Sequence, residues 1–388
     1  MKWTFGLLVV FCSRIAFADE QTTAGPPPEQ QKQGSWREKF IDPQDGKLDV
    51  SAFLATAYGF VPIASIITDP AIGYGGALGL VFIKPNHDSN SGEMLRPDMA
   101  LAAGMATENG TWGAAGGYSG NWRNGTLKTL AGGAYASLNL EFFGLGEALP
   151  SSAPLKYNLE AWGAITEADW QIGPKPLWLG LRYAYANVTT SFDIGNNIPG
   201  IDPIDYDQRM SGLTPLITWD TRNNIFTPTK GVYGQASVAV FSESLGGDRD
   251  FQLASVTGIW YHALADQLTL GVKGDVSASF GHTPFYLRPY VQLRGIQSLQ
   301  IQGEDMAQVE LELRWQHWGR HSLLAFAGTG AAWNDRDEFN DSRSTVTGGV
   351  GYRYLLARLF GLHMGIDVAF GPDDPIVYVQ FGSAWFRP

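Results

Sequence analysis

Residues 308–315 constrain this chain more than any other stretch. Val309, Leu311, Leu313 and Trp315 alternate with Glu310, Glu312 and Arg314. Only an extended strand sends successive side chains to opposite faces, so one face here is wholly apolar and the other carries three charges. The pattern recurs. Leu177, Leu179, Leu181, Tyr183 and Tyr185 oppose Trp178, Gly180 and Arg182, and Leu268, Leu270, Val272 and Val276 oppose Thr269, Lys273, Asp275 and Ser277. Val346, Val350, Tyr352 and Tyr354 oppose Thr345, Thr347, Gly349, Gly351 and Arg353, and Leu362, Met364, Ile366, Val368 and Phe370 oppose His363, Gly365, Asp367 and Ala369. Such segments match the ~9–11 residues a tilted strand needs to cross a bilayer. Beyond the N-terminal leader no apolar run approaches the ~18 residues of a spanning helix. Strands in lipid must satisfy all their backbone groups, which requires closure. The pattern predicts an all-β, transmembrane antiparallel β-barrel with an apolar outer face and a polar lumen. Composition separates this from a secreted β-sandwich: 47 Gly, 13 Trp and 15 Tyr with 17% charged residues suit a lipid face bounded by aromatic girdles.

Export is written at the N-terminus. Met1-Lys2, an apolar run over 3–12 and Ala16-Phe17-Ala18 have the order of a secretory signal peptide, 1–18, cleaved after Ala18. Cleavage removes Cys12, the only cysteine, and with it any disulfide or thiolate metal site. It also removes Lys2 and Arg14, leaving 25 bases against 38 acids and a charge of −13. An acidic chain without a basic cluster argues against nucleic acid as a partner. No cofactor is implied.

Counting back from the C-terminus places strands near 375–386, 362–371, 345–355, 322–333, 307–316, 267–281, 250–262, 231–242, 211–222, 175–190, 157–172, 128–141, 111–121, 97–107 and 71–84. Single-chain bacterial barrels have an even strand number, so a further strand near 59–68 makes sixteen, with fourteen as the alternative. The tight connections at 173–176 and 317–320 then fall on the periplasmic side, and the long ones at 192–208, 282–306 and 334–344 outside. Segment 85–96, rich in Asn, Asp and Ser, is the awkward member, a loop-like stretch on the periplasmic side. Residues 19–58 read as a partly disordered periplasmic or plug segment, with Gly25-Pro26-Pro27-Pro28 as linker and a short helix from Ser51 to Ala57. Asp42, Asp45 and Asp49 lack the alternation of an EF-hand loop and read as turn and cap residues.

Three further stretches carry a resemblance. Leu293-Arg294-Gly295-Ile296 lies in the long connection five strands from the end. Trp219-Asp220-Thr221-Arg222-Asn223-Asn224 is followed by Pro228 and Gly231, and the chain closes with Gln380-Phe381-Gly382-Ser383-Ala384-Trp385. They resemble, in turn, the Arg-Gly-aromatic signature of the sixth extracellular loop, the Asp-x-Arg-Asp-Asn turn and the C-terminal strand signal of the BamA/TamA family, whose barrel is also called the bacterial surface antigen domain. The match covers residues 212–386 within a barrel of 59–388. The resemblance implies a bacterial outer-membrane protein, inserted by the barrel assembly machinery, whose Arg294 loop folds back into the lumen. A lumenal arginine needs carboxylate partners; Glu312 is the first choice and Glu310 the second, with Gly295 beside the arginine in the lock. In the family an aspartate within Phe-x-Asp-x-Gly also holds this arginine, whereas here Phe326-Ala327-Gly328-Thr329-Gly330 puts Gly328 in its place. Family members carry periplasmic polypeptide-transport-associated (POTRA) domains, for which 19–58 offers no room, so a barrel-only member is expected.

The functional expectation is outer-membrane biogenesis, with insertion of a protein or lipid client assisted by an imperfectly closed seam between the first and last strands or by local bilayer thinning. The alternative is a porin-like channel with an acidic, loop-constricted lumen. No enzymatic activity is expected: the six histidines form no metal pair or triad at strand spacing, and no nucleophile elbow, phosphate loop or zinc motif is present.

Overall fold

The computed structural model describes residues 40–56, 59–67, 71–87, 94–142, 155–173, 176–192, 204–224, 226–334, 342–359 and 361–385. The expected leader, 1–18, and the expected linker within 19–39 lie outside them. Sixteen strands run in chain order: β1 (Gly59–Ile67), β2 (Gly75–His87), β3 (Met94–Thr107), β4 (Trp112–Trp122), β5 (Leu127–Phe142), β6 (Leu155–Gln171), β7 (Leu177–Phe192), β8 (Ile204–Asp220), β9 (Gly231–Phe241), β10 (Phe251–Ala265), β11 (Leu268–Gly281), β12 (Asp305–Trp318), β13 (His321–Trp333), β14 (Arg343–Ala357), β15 (Leu362–Phe370) and β16 (Ile376–Phe381). Each pairs antiparallel with its sequence neighbours in one 16-stranded sheet. β16 comes alongside β1, but among the described residues no ladder joins them. The barrel is therefore closed in outline and open in its hydrogen bonding. A short helix, α1 (Ser51–Thr56), precedes β1.

The faces follow the alternation. Leu311 and Leu313 are 47% and 40% exposed, while Glu310 and Glu312 between them are 3% exposed each. Trp112 packs on Tyr135, and Trp162 on Tyr185, with Tyr135 opposite Trp162 in register. This is the aromatic belt expected at a membrane interface. An even strand count sends both termini out of one end, here called proximal. Beyond the belt at the other, distal end, β5 to β8 continue to 16 or 17 residues, against 9, 9 and 6 in β1, β15 and β16.

Several strand limits differ from expectation. Within segment 85–96, residues 85–87 and 94–96 are strand, since Asn86 pairs with Leu95 and His87 with Met94, and 88–93 lie outside the described residues. β8 begins at Ile204, seven residues early, and stays paired with β7 out to Phe192. In β8 the strand has left the lipid there, so its outer face, with Asp207 and Arg209 exposed, is polar and the apolar alternation stops while the ladder continues. At the start of β2, residues 71–74 form a turn. At the other terminus, strand 375–386 ends at Phe381, because Gly382 adopts φ +76° and bends the chain inward.

Candidate functional site: a filled lumen beside an unladdered seam

The connection 282–304 packs inward from the distal end in two layers. The first is apolar: Tyr286, Leu287, Tyr290 and Leu299 pack against the inward faces of Leu138, Leu140, Leu159, Val188 and Met210 on β5 to β8. Tyr286 donates its hydroxyl proton to Gln208 at 2.9 Å. Burial of each such side chain is worth about 1.5–3 kcal/mol, so this half of the lumen is a dry core.

The second layer is ionic. Arg294 is 6% exposed. Its Nε donates to Glu310 at 2.7 Å, and its Nη1 lies 2.9 Å from Glu312 and 3.0 Å from Asp367. The guanidinium stacks on Phe326, 3.6 Å from the ring centre. Both glutamates named from the sequence are thus brought to Arg294, with Glu310 rather than Glu312 taking the shortest contact. Asp367 was missed as a partner although its inward face was legible. It also holds Arg353 in a bidentate pair at 2.5 and 2.8 Å. Arg294, Arg353, Glu310, Glu312 and Asp367 therefore form one buried network. Gly295 is required beside it: φ is +95°, and a Cβ would lie 3.0 Å from the backbone of Phe370. Its N–H donates to Tyr378 at 3.0 Å, tying the loop to β16. At Gly328 a Cβ would meet Leu293 at 2.8 Å. Loop packing has taken the space of the family's aspartate.

From the proximal end the turn 221–230 folds over the lumen. Arg222 pairs with Asp220 at 2.7 Å and lies over Tyr233. Asn224 accepts from the N–H groups of Phe226 and Thr227. The turn so stiffened receives the chain end: Ser383 N–H donates to the Phe226 carbonyl at 2.6 Å, and Arg314 donates to the Pro228 carbonyl. Trp385 then reaches inward, 4% exposed, packed with Tyr233, Ile259 and Tyr261, and donates its indole N–H to Glu310 at 2.5 Å. Of the residues read as a C-terminal strand signal, Gln380 and Phe381 lie on β16 opposite Gly365 and Met364, whereas Gly382 and Trp385 do not. A Cβ on Gly382 would lie 2.7 Å from the Phe226 carbonyl oxygen. Gly382→Val should accordingly lower barrel stability by about 1–3 kcal/mol, seen as a lower temperature for loss of heat-modifiable gel mobility. Unchanged mobility would mean the tail is not held as described.

Residues 40–56 lie at the proximal mouth. A tight turn closed by Asp42 N–H to Lys47 and Asp49 N–H to Phe40 aims three carboxylates at Arg320, which is 1% exposed and sits in the β12–β13 turn. Nε donates to Asp45 at 2.6 Å, Nη1 to Asp49 at 2.7 Å, and Nη2 to Asp42. Arg358, in the β14–β15 turn, adds contacts to Asp45 at 2.6 Å and Asp42 at 3.1 Å. The bond from Arg320 holds the Asp45 carboxyl down to about 2 from an ordinary 3.8. For a depressed carboxylate the stabilisation is complete above about pH 4 and is lost only as pH falls through the folded value. Burial works against the charge of Arg320, but the bonds to Asp45 and Asp49 outweigh it and raise its pKa. The three aspartates do make turn contacts to Gln44, Lys47 and Ser51. Their shared partner, 271 to 278 residues away, left no local signal.

A sequence profile described as "Omp85 superfamily domain" matches residues 177–382, the span from β7 to the bend at Gly382. Similar solved structures include BamA from Haemophilus ducreyi lacking POTRA domains 1–3 (13% identity, TM-score 0.57, covering 89% of this chain and 80% of that one). CdiB from Escherichia coli has 10% identity and a TM-score of 0.58 over 82% of this chain, and CdiB from Acinetobacter baumannii 10% and 0.53 over 83%. The chain spans 61% and 59% of those two CdiB chains. At these identities the likeness is one of fold. No curated protein sequence matches the chain at a significant level.

Proposed function

The chain belongs to the Omp85 superfamily, and from that membership and the lumenal geometry we propose that it acts in outer-membrane biogenesis, at its lateral seam rather than through its lumen. The observation that carries this reading is the contrast between the two routes. An apolar layer and a buried ionic network occupy the lumen, whereas among the described residues β1 and β16 come together without a ladder. An unpaired edge offers backbone donors and acceptors to another strand. The short β15 and β16 beside it favour local thinning of the bilayer. A client segment or lipid entering there would meet a lowered barrier. Proximal then means periplasmic. The partners in this reading are outer-membrane lipid, the barrel assembly machinery that inserts the chain itself, and a protein or lipid client; no enzymatic step is involved.

The test uses purified protein in vesicles and an unfolded outer-membrane barrel as client. Insertion should be several-fold faster than in empty vesicles. A disulfide engineered between β1 and β16 should abolish the gain, and reduction should restore it. Stable cation-selective conductance with no effect on insertion would overturn the proposal in favour of a porin-like channel.

A further inference from the structure

Segment 40–56 is fastened on one side of the seam and continues into the strand on the other. Asp42, Asp45 and Asp49 are bound to Arg320 and Arg358 in the turns after β12 and β14. The backbone joins in: Val50 N–H donates to the Leu356 carbonyl at 2.9 Å, Arg358 N–H to Asp49 at 3.0 Å, and the Tyr354 hydroxyl to the Leu48 carbonyl at 2.9 Å. Ser51 Oγ then accepts from Leu359 N–H at 3.1 Å. From there α1 leads on, and β1 begins at Gly59. In sheet order β15 and β16 stand between the β14–β15 turn and β1. Strands are spaced about 4.8 Å apart, and a short helix with a few extended residues spans at most some 20–25 Å, which reaches β1 past β15 and β16 and not around the rest of the barrel. The chain therefore crosses the seam at its proximal end.

We infer that residues 42–51 form a clasp that holds β1 to the C-terminal side of the seam, so that the seam opens when the clasp leaves Arg320 and Arg358. β1 needs such a restraint. Among the described residues it has one laddered neighbour, β2, and Pro62 removes one backbone donor from it, a residue that sheets tolerate on edge strands. The clasp is suited to release. Its bonds lie at the barrel mouth, none of them is part of the Arg294 network, and freeing it uncovers no apolar core cluster. The charged and titratable groups that meet there are Asp42, Asp45, Lys47, Asp49, Arg320, Tyr354 and Arg358. The inference takes its purpose from the seam reading above, but its readout is seam geometry, so failed insertion and a failed clasp are separate results.

The test places spin labels at Ala64 on β1 and Val377 on β16, both on the exposed outer face, in the full chain in lipid nanodiscs. Neutralising the clasp with Asp42→Asn, Asp45→Asn and Asp49→Asn should raise the population of longer inter-label distances about tenfold, a shift that ~1.4 kcal/mol produces. Asp248→Asn, which breaks the outer-loop pair with Arg209, should leave the distances unchanged. The same distribution in the neutralised chain would overturn the inference. Should that chain not fold, hydrogen exchange on the unaltered protein decides. If the clasp must release first, β1 amides exchange no faster than the Val50 amide; β1 exchanging while Val50 stays protected refutes it.

Discussion

Replacing Arg294 with alanine lowers barrel stability by about 3–5 kcal/mol, the range for removing one partner from a buried ion pair. The loss is large because of what remains. Glu310 and Glu312 are each 3% exposed and Asp367 is fully buried, and among the described residues only Asp367 of the Arg294 contacts keeps a second ion-pair partner, Arg353. The indole of Trp385 still donates to Glu310, but a neutral donor does not balance a carboxylate. Arg294→Lys recovers part of the loss. An ammonium cannot reproduce three contacts from a planar fork while stacking on Phe326. The measurement is the urea midpoint together with the temperature at which heat-modifiable mobility is lost. An alanine variant with both unchanged would show that the loop is held by its apolar layer alone. A second consequence follows from Tyr378, which accepts from Gly295 N–H: once the loop loosens, β16 loses a tie to the lumen, so β15–β16 amides should exchange faster than those of β5–β8.

The barrel was legible in the sequence because lipid imposes one rule along every strand: alternate residues must be apolar. Glu310 and Glu312 could be named on the same ground, since their strand fixes which way they point. Where that rule lapses, so did the reading. β8 runs on from Ile204 with Asp205, Tyr206, Asp207 and Gln208 above the aromatic belt, where either face can be polar. Asp367 was seen to face inward, but its meeting with Arg294 depends on the register of β12 through β15, which accumulates over three pairings. The position of Trp385 turned on one glycine: alternation would have left it on the strand, and φ at Gly382 sends it into the lumen. The clasp was least legible. Asp42, Asp45 and Asp49 make ordinary turn contacts, and the cation they surround is supplied from the far end of the chain.

The same network predicts what an aspartate at position 328, where the resemblance implies one, would do. Gly328 lies opposite Glu310 on β12 and Thr347 on β14. A side chain there meets Leu293 at 2.8 Å, the Val309 carbonyl at 3.0 Å and Glu310 at 3.3 Å. Gly328→Asp therefore carries an overpacking cost of about 1–3 kcal/mol. It also adds a fourth carboxylate to a network that holds Arg294 and Arg353 against three. Asp367→Asn has the opposite fault, leaving Arg353 without its bidentate partner, with a loss of about 3–5 kcal/mol. The two faults offset one another in charge. The double variant should be more stable than the sum of the single losses by at least ~1 kcal/mol, the coupling expected of residues that share a partner, and Leu293→Ala added to it should relieve the remaining crowding at residue 328. Strict additivity in urea midpoints would mean that Arg294 does not join the two positions. A positive coupling would show that a carboxylate at 328 and the one at 367 act on the same pair of guanidinium groups, Arg294 and Arg353.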